Sequence, residues 1–227
     1  MIPLKDNIPS EKIPFVNFFL IGLNTVVFLF ELMLGRQGLL EQLIINYGLI
    51  PYHFFVSFPE RWFTLLTSMF LHGGWLHFIG NMLYLYIFGD NIEDRLGHLK
   101  YFVFYITCGL LAASAQLAFS AGSGLPMIGA SGAIGGVMGA YFLLFPTARI
   151  LTLIPFGIFS RIVAIPSFFY LGFWFVIQFW SGAITLASSA SMRGGVAFWA
   201  HIGGFLGGVL WILVFYKRRG RPRNRWW

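Results

Sequence analysis

Charged side chains are scarce in this chain. Asp, Glu, Lys and Arg together supply 10% of its 227 residues, whereas hydrophobic residues supply 58% and the mean hydropathy is +0.76. A soluble domain carries about 25% charged residues, so this composition excludes an ordinary water-soluble fold. Crossing a bilayer takes about 20 apolar residues per helix. Six spans therefore use nearly the whole chain and leave no room for a separate soluble domain.

Cysteine is rarer still, and acidic residues avoid the apolar stretches. Cys108 is the only cysteine, which excludes an internal disulfide and a thiol-based metal site. The three aspartates (Asp6, Asp90 and Asp94) lie outside every predicted span, so an intramembrane aspartyl pair is excluded. A His-Glu-x-x-His zinc motif is missing as well. We therefore expect no metal and no cofactor.

Uncharged stretches predict six membrane-spanning helices. They run from about Pro14 to Leu34, Trp75 to Gly89, Tyr101 to Phe119, Gly129 to Pro146, Arg161 to Ala187 and Val196 to Tyr216. Loop-forming residues at 120–126 divide one long uncharged stretch into the third and fourth spans. The mixed charged and aromatic connection at 35–74 suits a segment lying in the membrane interface. The predicted fold is an all-α, polytopic bundle of six transmembrane helices at 14–216, with an N-terminal segment at 1–13 and a basic tail at 217–227.

Lys and Arg are unevenly distributed between the two ends of these spans. If both termini lie in the cytoplasm, twelve of the fifteen basic residues lie on that side, and only Arg36, Arg61 and Arg193 lie outside. The positive-inside rule favours this orientation. Six of the twelve lie in the tail, where they suit an anchor at a lipid surface. The net charge of +7 thus indicates membrane lipid, and not nucleic acid, as the partner.

Four polar residues stand out within the predicted spans: His77, Asn81, Ser131 and His201. They lie near the outer ends of the second, fourth and sixth spans, which run in the same direction, so all four are expected at similar depth. His77 and Asn81 are four residues apart and share one helix face. Glu31 is the one acidic residue inside a predicted span, and we assign it to the inner end of the first.

Glycine repeats predict that the fourth and sixth spans pack closely. Gly-x-x-x-Gly pairs occur at 132/136 and 135/139 in the fourth span and at 203/207 and 204/208 in the sixth. Glycine at this spacing lets two helix backbones approach each other. Both repeats begin just after the polar residue of their span. We therefore expect Ser131 and His201 to meet at the outer end of the packed pair.

A serine hydroxyl beside a neutral imidazole is a potential nucleophile, because the imidazole takes its proton. Attack on a carbonyl produces an oxyanion, which needs preorganised hydrogen-bond donors. Backbone N–H groups at the start of the fourth span are candidates, since the helix dipole also favours negative charge there. The Asn81 amide and a His77 N–H are two more. With no acid available to orient the base, the sequence predicts a Ser131–His201 dyad rather than a triad.

Three motifs in this chain resemble those of the rhomboid family of intramembrane serine proteases. Residues 129–132 (Gly-Ala-Ser-Gly) are similar to the family's Gly-x-Ser-Gly nucleophile motif, residues 72–81 to its second-helix motif, and residues 200–204 to its sixth-helix motif. The resemblance covers about Trp62 to Gly208. It implies six helices with a water-accessible active site below the outer membrane surface, and a substrate gate formed by the fifth helix and its neighbouring loop.

The resemblance also implies an activity and a set of site residues. The activity is that of a serine endopeptidase that cleaves single-span or other transmembrane protein substrates near the outer membrane face, without metal. The expected location is the cell membrane of a bacterium or archaeon. The implied site residues are the nucleophile Ser131, the base His201, the oxyanion hole of His77, Asn81 and Ser131, and the supporting residues Gly129, Gly132 and His72.

Two positions depart from the family pattern, and two other functions stay open. Many relatives have an aromatic residue packed on the base four positions after the nucleophile, where this chain has Gly135. Relatives often carry Trp-Arg in the first loop, and the nearest pair here is Arg61-Trp62, in reverse order. A catalytically inactive relative that binds membrane proteins is one alternative, which the presence of both Ser and His disfavours. A transporter is the other, disfavoured by the absence of intramembrane ion pairs and of an acidic proton path.

Overall fold

The structure, a computed structural model, describes residues 1–156, 159–187 and 196–216. In chain order its helices are α1 (Phe15–Arg36), α2 (Leu40–Tyr47), α3 (Pro51–Val56), α4 (Thr64–Thr67), α5 (Trp75–Leu96), α6 (His98–Phe119), α7 (Ser131–Leu144), α8 (Ser167–Ala187) and α9 (Phe198–Phe215). Within this described part, α1, α6, α8 and α9 are long and apolar enough to cross a membrane, and α7 is apolar but shorter. The predicted class, a helical polytopic membrane protein, is confirmed, while the count of six spans stays a prediction.

The second predicted span ends at Gly89, but the helix that contains it, α5, continues past this residue. Glu93 in its charged end is buried, and its carboxylate accepts the backbone N–H groups of Val16 (2.9 Å) and Asn17 (2.7 Å) at the start of α1. First-turn N–H groups have no partner within their own helix, so this acid satisfies the start of α1. α5 ends at Gly97, whose φ of +79° suits glycine.

A three-stranded antiparallel sheet was not predicted from the sequence. Its strands lie in the order β1 (Ile2–Lys5), β2 (Arg149–Phe156), β3 (Phe159–Pro166). Starting the fifth predicted span at Arg161 is therefore wrong: this residue pairs within the sheet, and α8 begins at Ser167. The physical reason is that β2 and β3 are rich in Ile, Leu and Val, which fit a paired strand well.

Residues 1–13 pack against the end of the bundle where α7 ends. β1 pairs with β2, Asp6 accepts a hydrogen bond from the Tyr141 hydroxyl of α7, and Asn7 accepts one from the backbone N–H of Arg149 (2.7 Å). Burial raises the pKa of Asp6 above its ordinary value. This segment is therefore part of the folded body. The predicted basic tail at 217–227 lies outside the described residues.

The connection between α1 and α5 folds into α2, α3, α4 and one 3-10 turn at 68–70. The Arg61 guanidinium donates hydrogen bonds to the backbone carbonyls of Ile45 (2.9 Å) and Asn46 (3.4 Å), which joins the later half of the connection to α2. Exposed aromatic side chains at Phe55 and Trp62 are consistent with the predicted interfacial position of this segment.

The α9 glycine repeat at 204/208 faces α7, as predicted, whereas the repeat at 203/207 faces Leu111 and Ala115 of α6. A Cβ added at Gly204 would overlap the carbonyl oxygen of Gly132, and one added at Gly208 would overlap the carbonyl oxygen of Gly136. We call this contact the α7–α9 glycine seam, made by Gly132, Gly136, Gly204 and Gly208. The residues of α7 from 132 to 141 are all buried. α7 is therefore the central helix, and its place relative to α9 is set by backbone contact.

We predict that Gly208→Ala lowers stability, because its Cβ would meet α7 backbone that cannot move aside without separating the two helices. The expected loss is about 1–3 kcal/mol, as for other overpacked interiors. It is measured as the thermal unfolding midpoint of the detergent-solubilised protein.

The matched control is Gly22→Ala in α1, where an added Cβ meets nothing within 4 Å. Alanine is a better helix former than glycine by up to about 1 kcal/mol, so this variant is expected to be at least as stable as the parent. Equal stability of the two variants would contradict close backbone packing at Gly208.

Candidate active site

An open cavity of about 670 Å³ lies among the first turns of α5, α7 and α9. Its walls contain His77, Asn81, Ser131 and His201, the four residues singled out from the sequence. Trp174 of α8 closes one side. A volume of this size is within the usual range for ligand pockets, about 300–1,000 Å³. The predicted convergence of the four side chains is thus confirmed.

Ser131 and His201 are in hydrogen-bond contact. Ser131 is the first residue of α7, His201 lies in the first turn of α9, and the Ser131 Oγ is 2.8 Å from the His201 Nε2. This distance is normal for a hydroxyl that donates to an imidazole nitrogen. The contact exists because the glycine seam begins at the next residue of α7 and brings the two helix starts together.

The other imidazole nitrogen of His201 has a partner from α8. Its Nδ1 is 2.7 Å from the Oε1 of Gln178, which is also buried. An amide oxygen can only accept a hydrogen bond, so Nδ1 carries the proton. In the neutral ring, Nε2 is then unprotonated and free to accept the hydroxyl proton of Ser131.

Gln178 was missed in reading the sequence, although a signal was present. It is an amide in a helix that is otherwise apolar and aromatic, and polar side chains inside a membrane are expensive unless they are bonded. Its partner lies 23 residues further along the chain. Nothing in the local pattern identified that partner.

An aromatic ring of α8, that of Trp174, lies beside the base, whereas position 135 of α7 is a glycine. A Cβ added at Gly135 would lie 3.0 Å from the His201 carbonyl oxygen, so α7 has no room for a ring there. The Trp174 ring instead approaches the imidazole from α8, with a centroid distance of 5.7 Å and an angle of 35° between the ring planes. From α8, His201 is thus contacted by the Trp174 ring and the Gln178 amide, and from α7 it is contacted by the Ser131 hydroxyl.

His77 presents an N–H to the region before Ser131. Its Nδ1 accepts a hydrogen bond from the backbone N–H of Gly73 at 3.2 Å. The proton of the neutral ring is therefore on Nε2. A Cβ at Gly129 would lie 2.6 Å from this Nε2, which shows how closely the ring approaches the residues that lead into α7.

Asn81 lies one turn after His77 on the same face of α5. It is 7% exposed, and its amide nitrogen has no hydrogen-bond partner among the residues that the structure describes. Buried polar groups are normally paired. Asn81 thus places an unpaired amide donor beside the cavity.

The two glycines that flank the Ala130-Ser131 pair are both required by close contacts. Gly129 has a φ of +124°, in the left-handed region that disfavours side chains. At Gly132 a Cβ would lie 2.6 Å from the Cβ of Ala112 in α6. The predicted supporting positions of both residues therefore have a steric basis.

His72 packs against His77 and is not one of the residues that line the cavity. Its Nδ1 is 3.2 Å from the carbonyl oxygen of Phe70, and its ring centroid is 5.3 Å from that of His77. Burial first, and the nearby His77 second, lower the pKa of His72 to about 4. His72 is thus neutral near pH 7 and orders the segment that enters α5.

Glu31 contacts this same segment. Its carboxylate oxygens accept the backbone N–H of His72 at 2.9 and 3.1 Å. The assignment of Glu31 to the inner end of the first span is therefore wrong. The reason is direction: α1 starts at the end of the bundle that holds residues 1–13, so its C-terminal turns lie at the cavity end.

Comparison with known proteins shows what the chain is similar to. A family model described as the rhomboid domain matches residues 59–218. "Rhomboid protein 1, mitochondrial" of Saccharomyces cerevisiae is 29% identical over 167 residues, which cover 71% of this chain and 44% of that protein. "RHOMBOID-like protein 6, mitochondrial" of Arabidopsis thaliana is 32% identical over 176 residues, covering 76% and 50%.

A bacterial relative is similar to the same extent. "Rhomboid protease GluP" of Bacillus subtilis is 31% identical over 148 residues, which cover 65% of this chain and 25% of that protein. The chain thus spans half or less of the length of these three relatives. The range matched by the family model contains every candidate site residue.

We predict that Gly129→Ala destabilises the protein, because it adds backbone strain at a positive φ and a clash with the His77 ring. A residue in such a conformation costs about 1–3 kcal/mol. The measurement is the thermal unfolding midpoint in detergent.

Gly124→Ala is the matched control, since it lies in the same loop and an added Cβ there meets nothing within 4 Å. It is expected to leave the midpoint unchanged. If Gly129→Ala behaved like this control, the tight approach of the loop to His77 would be disproved.

Proposed function

The chain belongs to the rhomboid family, and on that basis we propose that it is a serine endopeptidase that cleaves transmembrane protein substrates within the membrane. The observation that carries the proposal is the 2.8 Å contact between the Ser131 hydroxyl and the His201 imidazole at the wall of an open cavity. Relatives named as a rhomboid protease and as a rhomboid-type serine protease support it. The chain is an integral membrane protein, so a transmembrane segment is the substrate class that can reach the cavity.

In the proposed mechanism Ser131 is the nucleophile and His201 the base. The Ser131 oxygen forms a bond to the scissile carbonyl carbon while the hydroxyl proton passes to Nε2 of His201. The imidazolium then gives this proton to the leaving amine as the C–N bond breaks. A water molecule attacks the resulting ester by the same proton route and releases the new carboxyl end.

The negative charge of the tetrahedral intermediate needs donors, and three groups are the proposed donors. The backbone N–H of Ser131 lies at the start of α7, where the helix dipole favours an anion. The His77 Nε2–H and the Asn81 amide line the same cavity. Donors fixed before the reaction are usually the largest single contribution to acyl-transfer catalysis.

The charge distribution supports a membrane orientation with the cavity outside and both termini in the cytoplasm. Arg149 and Arg161 lie in the sheet at the opposite end of the bundle, and Arg95 is over the Phe145 ring near the end of α7. Basic residues favour the cytoplasmic side. The proposed location is the cell membrane of a bacterium or archaeon, with membrane lipid around the exposed apolar side chains.

We predict that Ser131→Ala abolishes cleavage of a single-span reporter substrate while the protein stays folded, because the nucleophile is removed and the glycine seam is untouched. Cleavage is measured with purified protein in detergent or vesicles. Ser114→Ala is the matched control, since the Ser114 hydroxyl donates to Leu110 within α6, away from the cavity. Full cleavage by Ser131→Ala would end the proposal; no cleavage by the folded parent would favour an inactive, substrate-binding relative.

We predict that Asn81→Ala lowers kcat about tenfold. Losing one oxyanion donor costs up to about 3 kcal/mol elsewhere, and His77 and the Ser131 backbone remain here, so the loss is smaller. The control is Asn24→Ala, a buried amide of α1 whose nitrogen donates to Leu20 in its own helix. If kcat of Asn81→Ala equals that of the control, Asn81 has a packing role instead.

A further inference from the structure

Two side chains of α8 approach the imidazole of His201 from one helix face. Trp174 and Gln178 are four residues apart, the spacing that places side chains one above the other. Tyr170, a further four residues back, is also buried and contacts Tyr84 of α5 at 2.8 Å between the hydroxyl oxygens. Tyr170, Trp174 and Gln178 therefore lie on the face of α8 that packs against the bundle. Gln178 supplies the amide group of this face.

We propose that Gln178 is a positioning residue for His201, whose amide oxygen holds the imidazole in the tautomer and orientation that the base of Ser131 requires. This inference rests on the proposed function, because it adds a third residue to the proposed pair of Ser131 and His201. The sequence contains no acid in this place, and the structure supplies a neutral acceptor from α8 instead.

The tautomer is the first reason. A neutral imidazole carries one N–H, and a proton on Nε2 would leave no lone pair to take the serine proton. With Oε1 of Gln178 at 2.7 Å, the proton is held on Nδ1. Among the described residues, Gln178 is the hydrogen-bond partner of this nitrogen, so its loss leaves the tautomer free to change.

Burial is the second reason. Gln178 and His201 are each 9% exposed, and a buried polar group is costly unless it is bonded. The amide oxygen and the imidazole N–H therefore satisfy each other's need for a hydrogen bond. Rotation of the imidazole ring or of the amide group would break this hydrogen bond. When His201 takes the serine proton, the amide dipole also faces the new positive charge, although more weakly than a carboxylate would.

A second, partly buried amide gives a matched comparison. Gln116 of α6 also reaches α9, where its Oε1 accepts the backbone N–H of Ala200 at 3.3 Å, and its nitrogen donates to Ser120. Its partner Ala200 is the residue before the base in the chain, and among the described residues no hydrogen bond joins Gln116 to the imidazole. Gln116→Leu thus removes an equivalent amide from the same region without altering the tautomer.

The test is the rate at which an alkyl fluorophosphonate labels the detergent-solubilised protein, measured across the pH range in which imidazole titrates. This probe needs no knowledge of the substrate, since its rate depends on how well the base activates the serine. Gln178→Leu is expected to lower the plateau rate about tenfold, the effect of one lost hydrogen bond. Gln116→Leu is expected to match the parent.

Gln178→Glu gives a readout that a merely structural role would not move. It keeps the size and the acceptor, so most of the rate is expected to return. Its negative charge favours the protonated imidazole and moves the acidic limb of the pH profile to higher pH, by about one unit or more. His77 of α5 is the other titratable group that lines the cavity beside His201, and it is the same in every variant.

The outcomes separate this inference from the proposed function. If Ser131→Ala is labelled as fast as the parent, the proposed function and this inference both fail. If Ser131→Ala is unlabelled while Gln178→Leu keeps the parent rate, or Gln178→Glu keeps the parent pH profile, only the role of Gln178 is overturned. Should Gln178→Leu not fold, the pH profile of the nearly isosteric Gln178→Glu decides alone.

Discussion

Backbone contact between α7 and α9 is the constraint on which the rest of this structure depends. The two helices touch where Gly132 and Gly136 face Gly204 and Gly208, and any side chain at Gly204 or Gly208 would overlap a carbonyl oxygen. A serine hydroxyl is short, so it reaches an imidazole on another helix only when the two backbones are close. Apolar burial gives little drive for helix association in lipid, so small residues and polar contacts have to supply it. The same glycines that hold the bundle together therefore bring Ser131 to His201.

Buried polar groups at both ends of the bundle are satisfied by distant parts of the chain. Glu93 accepts the free N–H groups at the start of α1, Glu31 accepts the N–H of His72, and Gln178 accepts the Nδ1 proton of His201. Each acceptor removes the cost of an unpaired group in a low-dielectric interior. Asn81 is the contrast: its amide nitrogen lies unpaired at the cavity wall, within the described residues. The three acceptors thus join parts of the fold that are far apart in the chain.

The centre of the candidate site was predictable because its determinants are local in the sequence. A glycine repeat begins one residue after Ser131 and two residues after His201, so depth and packing both followed from the pattern. The parts that were not predictable depend on distant partners. Gln178 is a single amide, and its hydrogen bond to the base exists only because α8 lies beside α9. The charged end of α5 depends on a second distant contact, since Glu93 accepts hydrogen bonds from a helix start far away in the chain. Residues 161–166 of β3 were misread as the start of the fifth span, and β2 was not predicted, because short apolar runs beside a helix do not distinguish strand from helix by periodicity.

The most direct test of the account is to locate the adduct formed when the detergent-solubilised protein reacts with an alkyl fluorophosphonate. Such a reagent phosphorylates a serine only where a base takes its proton, and mass spectrometry of the digested protein identifies the modified residue. The account predicts one adduct, on Ser131, which disappears when His201 is replaced by Ala. A folded protein that takes up no reagent, or that carries it on a different serine, would contradict it.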